Sequence, residues 1–187
     1  MGDPAPFRPV RAPARSYARR MTETLPPPAA LPPLPPLPPL PMTELGPQAF
    51  AAVHALHAAV EEAATAAGLE PLLLELVRLR CSQLNGCTYC VGLHTASARK
   101  AGEQDERLAQ LVVWRESGLF TPRERAALAL AEAVTRLTDR TEGVRARRAA
   151  LGVLSEPETA FVAWAATVVN TYNRIAVTSH PVAAEAL

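Results

Sequence analysis

The chain is predicted to fold as an all-α domain. Three observations carry that expectation. Apolar residues recur at three- and four-residue intervals through successive segments, the spacing of one helical face. Aromatic residues make up only 5% of a composition that is 49% hydrophobic and rich in alanine, which suits closely packed helices better than sheets. Glycine, proline and capping residues stand between the segments, where helices start and stop. With 187 residues, the chain is long enough for one domain with a substantial core.

The N-terminal region stands apart. Residues 26–41 read PPPAALPPLPPLPPLP, ten prolines in sixteen positions, which fixes φ repeatedly and removes amide donors. The expected organisation is a disordered Arg/Pro-rich arm over 1–41 and a helical domain of about six to seven helices over 42–187. The arm reads as a spacer, as upstream sequence ahead of a start at Met42, or as a PxxP ligand. Arg8, Arg11, Arg15, Arg19 and Arg20 against Asp3 and Glu23 give the arm +3, leaving −2 for the rest of a chain whose net charge is +1.

A first helix is expected from Leu45 to Ala67, with Phe50, Val53, Leu56 or His57, Val60 and Ala64 on one face and Gly68 as its stop. Pro71 opens a second helix that runs through Leu72, Leu73, Leu76 and Val77 to Leu84, until Asn85-Gly86 breaks it. The third runs from about Cys87 to Ala101, before Gly102. A fourth covers Glu106 to Glu116, with Leu108, Leu111, Val112 and Trp114 inward. Thr121-Pro122-Arg123-Glu124 has the capping-box pattern and opens a fifth helix to about Leu137. A shorter helix near Val144 to Leu151 follows. Ser155-Glu156-Pro157-Glu158 repeats the capping device before a long helix through Phe161, Trp164, Val168 and Tyr172 to about Val177.

The near-neutral charge argues against a nucleic-acid footprint and against electrostatic attachment to a membrane. No run of 18 or more apolar residues is present to span a bilayer, and the prolines after Arg19-Arg20 do not fit an export signal, so a cytoplasmic location is expected. The three cysteines, Cys81, Cys87 and Cys90, lie within ten positions, which marks a site rather than a disulfide scaffold.

On a helix, Cys87, Cys90 and His94 project from one stripe at i, i+3 and i+7. A thiol, a redox partner and a base thereby meet. A helix N-terminus and a nearby imidazole both favour the reactive thiolate. Proximity to the N-terminus favours Cys87 as nucleophile, whereas the i, i+4 relation to His94 favours Cys90, and spacing leaves the two open. If Asn85-Gly86 reverses the chain tightly, Glu75 comes level with His94 and orients it. The competing reading pairs Glu75 with an arginine such as Arg78.

The pattern Glu75-x11-Cys87-x2-Cys90-x3-His94, with the lead-in Ser82-Gln83-Leu84-Asn85-Gly86, resembles the active site of AhpD-type alkylhydroperoxidases in the carboxymuconolactone decarboxylase superfamily. Trp114-Arg115-Glu116 and Asn170-Thr171-Tyr172-Asn173-Arg174 resemble further stretches of this group, and the similarity covers about residues 45–180. The resemblance implies an AhpD-like helical fold and a thiol peroxidase acting on hydrogen peroxide or organic hydroperoxides. It assigns Cys90 as nucleophile, Cys87 as resolving thiol, His94 as base and Glu75 as its orienting carboxylate. It further implies a Cys87–Cys90 disulfide, a thiol reductant for which a lipoylated protein is the family's example, and a homo-oligomer, a trimer or hexamer. No cofactor or metal is implied. Tyr89 stands where AhpD has a further histidine and is expected to pack. Family members named for lactone decarboxylation lack the CxxC pair, which counts against that reaction.

Two rival readings remain. A thiol-disulfide oxidoreductase acting without peroxide would use the same CxxC, and a structural zinc site would draw on Cys81, Cys87, Cys90 and His94. Cys81 is expected to be a core residue, and His54, His57 and His180 surface or packing residues.

Overall fold

A computed structural model of the chain describes residues 38–137 and 139–179. Most of the Arg/Pro-rich arm and His180 lie outside the described residues. Among the described residues, the architecture is helical throughout: α1 (Met42–Leu45), α2 (Pro47–Ala66), α3 (Pro71–Leu84), α4 (Thr88–Lys100), α5 (Asp105–Gln110) followed by a 3-10 turn (Leu111–Val113), α6 (Pro122–Arg136), α7 (Arg140–Leu151) and α8 (Glu156–Ser179). The all-α expectation holds.

The start and stop signals act as the sequence predicts. Thr121 accepts from the Glu124 amide while the Glu124 carboxylate accepts from the Thr121 amide, a closed capping box with Pro122 at the first position of α6. Ser155 and Glu158 repeat it at α8, with bonds of 2.7 and 3.3 Å. Gly68 and Gly102 take positive φ just beyond α2 and α4.

α3 is the centre of the fold and packs against α4, α6 and α8, while α2 lies on α8. Its sequence shows why: every residue from Leu76 to Ser82 is buried, so the helix is enclosed nearly all round. One stripe, Leu73, Val77 and Cys81, joins a core with Leu130 of α6 and Val162 and Val169 of α8. A second, Leu76 and Leu79, joins another core with Leu111, Trp114 and Leu128. The third stripe is polar, carries Glu75 and Arg78, and faces the site.

One inward assignment needs correction. Val112 is 52% exposed, because the helix tightens to a 3-10 turn after Gln110 and rotates Leu111 and Trp114 inward instead. On α8 the inward stripe runs through Val162, Ala165, Ala166 and Val169, and Trp164 lies outside it.

A buried charged cluster locks α3, α6 and the segment after α5. The Glu132 carboxylate, fully buried, accepts from Arg80 Nε at 2.7 Å, Trp114 Nε1 at 2.9 Å and the Arg115 guanidinium, with Arg136 at 3.3 Å. Burial pushes its pKa up, but the bonds from Trp114, Arg115 and Arg80 outweigh it and hold the carboxyl below its usual range. This accounts for the Trp114-Arg115 pair: both residues serve Glu132.

Candidate active site

The reversal between α3 and α4 is built by Asn85 and Gly86. Gly86 has φ +65°, a region that side chains with a Cβ rarely adopt. The Cys87 amide then donates back to the Ser82 carbonyl at 3.1 Å. Asn85 Nδ2 donates to Asn170 Oδ1 at 2.6 Å and Asn173 Oδ1 at 2.8 Å, and Asn173 Nδ2 donates to Ser82 Oγ at 3.1 Å. The turn ahead of the cysteines is thus fastened to α8. The Ser82–Gly86 lead-in and the Asn170–Arg174 stretch, far apart in the chain, form one polar ladder.

Cys87 is the N-cap of α4, with extended backbone, and Cys90 lies in the first turn; both are buried. The two sulfurs are joined in a disulfide. Cys87 Sγ accepts from the Cys90 amide at 3.3 Å, so it sits at the positive end of the helix. Cys90 borders an open cavity of about 750 Å³, together with His94, Arg78, Tyr89 and Leu93.

His94 lies one turn beyond Cys90, and its Nδ1 is 2.9 Å from Glu75 Oε2. A carboxylate only accepts, so Nδ1 carries the proton toward Glu75 and Nε2 is left as the basic nitrogen. The two side chains are only 13% and 14% exposed, which shields the pair. Both sequence readings of Glu75 are realised together: its Oε1 accepts from Arg78 at 2.6 Å while Oε2 serves His94. Arg78 in turn reaches Glu61 of α2. Burial lowers the Arg78 pKa to about 10.

Cys81 lies apart from this group, in the core, with Thr135 Oγ1 donating to its sulfur at 3.2 Å. Burial pushes its thiol up to about 11. The zinc reading needs Cys81 and the cysteine pair at one point, and they are divided. Among the described residues no group of three or more His, Cys, Asp or Glu side chains is placed to hold a metal ion.

Three residues escaped the sequence reading. His54 and His57 of α2 and Tyr172 of α8 line the same cavity as Cys90 and His94. Tyr172 Oη is 3.1 Å from His54 Nδ1, and its ring meets that of His57 edge-on, centroids 5.8 Å apart. Burial first, then Arg78 and the other imidazoles, lower the His57 pKa. His54 is exposed and His57 half-buried, in keeping with the surface or packing reading; packing of α2 on α8 brings both to the cavity, and their own spacing carries no signal of it. Tyr89, expected to pack, is 70% exposed, because the first turn of α4 turns its cysteines inward and Tyr89 out.

The model of the carboxymuconolactone decarboxylase family matches residues 47–133. A crystal structure of a protein of unknown function from Agrobacterium tumefaciens, a candidate AhpD antioxidant defence protein, superposes with a TM-score of 0.68 at 34% identity, covering 78% of this chain and 99% of that one. The chain belongs to the carboxymuconolactone decarboxylase family, in its AhpD-like group. That family includes enzymes, both decarboxylases and alkylhydroperoxidases. Among curated relatives, the uncharacterized protein YdfG of Bacillus subtilis is 46% identical over 61 residues, 33% of this chain and 42% of that protein. The uncharacterized protein YnjA of Escherichia coli is 38% identical over 68 residues, 36% and 37% of the two chains. The chain thus spans well under half the length of either curated relative. Among the described residues no helix is long and apolar enough to cross a membrane.

Proposed function

We propose that the protein is a thiol-dependent peroxidase that reduces hydroperoxides through a Cys87/Cys90 dithiol-disulfide cycle. The observation that carries this reading is the shielded Glu75–His94 pair, 2.9 Å apart, one helical turn from Cys90 on the wall of an open cavity.

In the reduced protein His94 Nε2 takes the Cys90 proton, and Glu75 stabilises the imidazolium. The Cys90 thiolate attacks the terminal oxygen of ROOH, the O–O bond breaks, and the departing alkoxide takes a proton from His94 to leave as ROH. Cys90 becomes a sulfenic acid. Cys87 then attacks that sulfur and water leaves, giving the Cys87–Cys90 disulfide. Two thiols and one peroxide yield one disulfide, one alcohol and one water. Cavity access at Cys90 supports it as the nucleophile, and the position of Cys87 at the helix N-terminus supports it as the resolving thiolate. A dithiol donor returns two electrons and two protons, and a lipoylated protein fits that chemistry. A reducing cytoplasm and a homo-oligomeric assembly, a trimer or hexamer, are part of the same proposal.

The test is intact-mass analysis of the reduced protein before and after one equivalent of peroxide. Loss of two hydrogens is expected in the wild type, gain of one oxygen in Cys87→Ser, and no peroxide-dependent change in Cys90→Ser. Oxidation of the thiols by disulfides but not by peroxide would overturn the peroxidase reading in favour of a thiol-disulfide oxidoreductase.

A further inference from the structure

The cavity in front of Cys90 is far larger than hydrogen peroxide needs, and part of its wall comes from an unexpected source. α8 supplies Val169, Tyr172, Ile175 and Ala176, and α2 supplies Phe50. Part of the rim is formed by the end of the proline tract and the start of α1: Pro39, Pro41, Thr43 and Glu44. This segment is folded locally and borders its neighbours. The Met42 amide donates to the Leu40 carbonyl at 2.7 Å and the Leu45 amide to the Pro41 carbonyl at 3.0 Å, and α1 rests on both α2 and α8.

We infer that Pro39, Pro41 and α1 form a specificity strap, completing an apolar cavity that selects hydroperoxides with a bulky apolar group over hydrogen peroxide. The inference rests on the peroxidase reading for its reactive step. Its physical basis is separate. Proline rings present apolar surface on a backbone whose φ is already fixed, so the strap lines the rim with little conformational entropy to lose. The lining is mainly aliphatic and aromatic, and His54 is bonded to Tyr172, so an apolar substituent meets mostly apolar surface there, although Glu44, Arg78 and Ser179 also contribute polar atoms. Hydrogen peroxide has no apolar group for the strap to contact, so removing the strap contacts is expected to leave its reaction unchanged. The tract that reads in the sequence as a spacer or as upstream residues thereby contributes its last two prolines to the site.

The test compares the full chain with a Pro39→Gly/Pro41→Gly variant. Each is prereduced, freed of reductant and mixed with cumene hydroperoxide or hydrogen peroxide, and disulfide formation is followed by quench and mass analysis. Replacing the two rings removes on the order of 40 Å² of apolar contact, equivalent to about fivefold in affinity. The cumene hydroperoxide rate constant is expected to fall about that far, while the hydrogen peroxide rate constant stays within twofold. In parallel, binding of the unreactive product alcohol, 2-phenyl-2-propanol, to the disulfide form is measured by calorimetry and is expected to weaken by the same factor. An unchanged ratio of the two rate constants, or alcohol binding that is absent or unaffected by the variant, overturns the strap. Failure of both peroxides to oxidise the wild type sinks the peroxidase reading instead, and alcohol binding then decides the strap alone. If the double variant melts early, Pro39→Ala and Pro41→Ala, which trim the rings without loosening the backbone as far, carry the same comparison.

Discussion

Replacing Glu75 by Gln tests the site most directly. The change keeps side-chain volume and leaves one amide oxygen able to accept from His94 Nδ1, while the amide nitrogen replaces the oxygen that accepts from Arg78, so it removes the negative charge and the Arg78 bond. Arg78 keeps Glu61 as a charged partner, so no cation is left stranded in the interior. Glu75 and His94 are 14% and 13% exposed and 2.9 Å apart, so solvent screens their interaction weakly. A hydrogen bond to a charged group in such a setting contributes about 1.5–3 kcal/mol. That stabilisation is largest when His94 carries the Cys90 proton, so its loss falls on the reactive step and corresponds to roughly tenfold to hundredfold in rate. The assay is single-turnover oxidation of prereduced protein, with a thermal melt to show that the fold is kept. A rate within twofold of the wild type, in a variant that melts normally, refutes the idea that Glu75 works through His94.

Three further expectations follow from the fold. Glu132→Gln removes the charge that compensates buried Arg80 and is expected to cost about 3–5 kcal/mol, lowering the melting temperature by roughly 10 °C or more, whereas a shift under about 2 °C would show that the cluster is stabilised otherwise. With burial raising its thiol to about 11, Cys81 should resist iodoacetamide at pH 8 in the reduced native protein, so mass analysis should find only Cys87 and Cys90 modified. Glu158 is held at about 2, against an ordinary 4.5, first by Arg123 and then by the Ser155 amide. Its pKa is depressed in the fold, so its stabilisation is complete above about 4.5 and fades as pH falls toward 2; Glu158→Gln should flatten that part of a stability-against-pH curve, and identical curves would deny the linkage.

The helices were legible because their signals are local. Thr121-Pro122-x-Glu124 and Ser155-x-x-Glu158 close their capping boxes whatever lies around them, and Asn85-Gly86 reverses the chain because glycine accepts a positive φ. The site was legible to the extent that it lies on one helix: Cys87, Cys90 and His94 share a stripe by helical geometry alone. Glu75 was reachable because a single tight turn relates α3 to α4. Where local pattern met a change of helix type it failed, as at Val112, and it failed too at Tyr89, which the first turn of α4 points outward.

The sequence by itself therefore determined an all-helical chain carrying a cysteine pair, a histidine one turn on and a carboxylate one hairpin back. Only the tertiary structure decided that Glu75 serves His94 and Arg78 at once, that Asn85 is fastened to Asn170 and Asn173, and that His54, His57, Tyr172 and the last prolines before α1 line the cavity at Cys90. The physical reason is range. Capping, turns and helical stripes are set by neighbours within a few residues, whereas a cavity wall is set by which distant helices pack, and packing depends on the summed apolar surface of the whole chain.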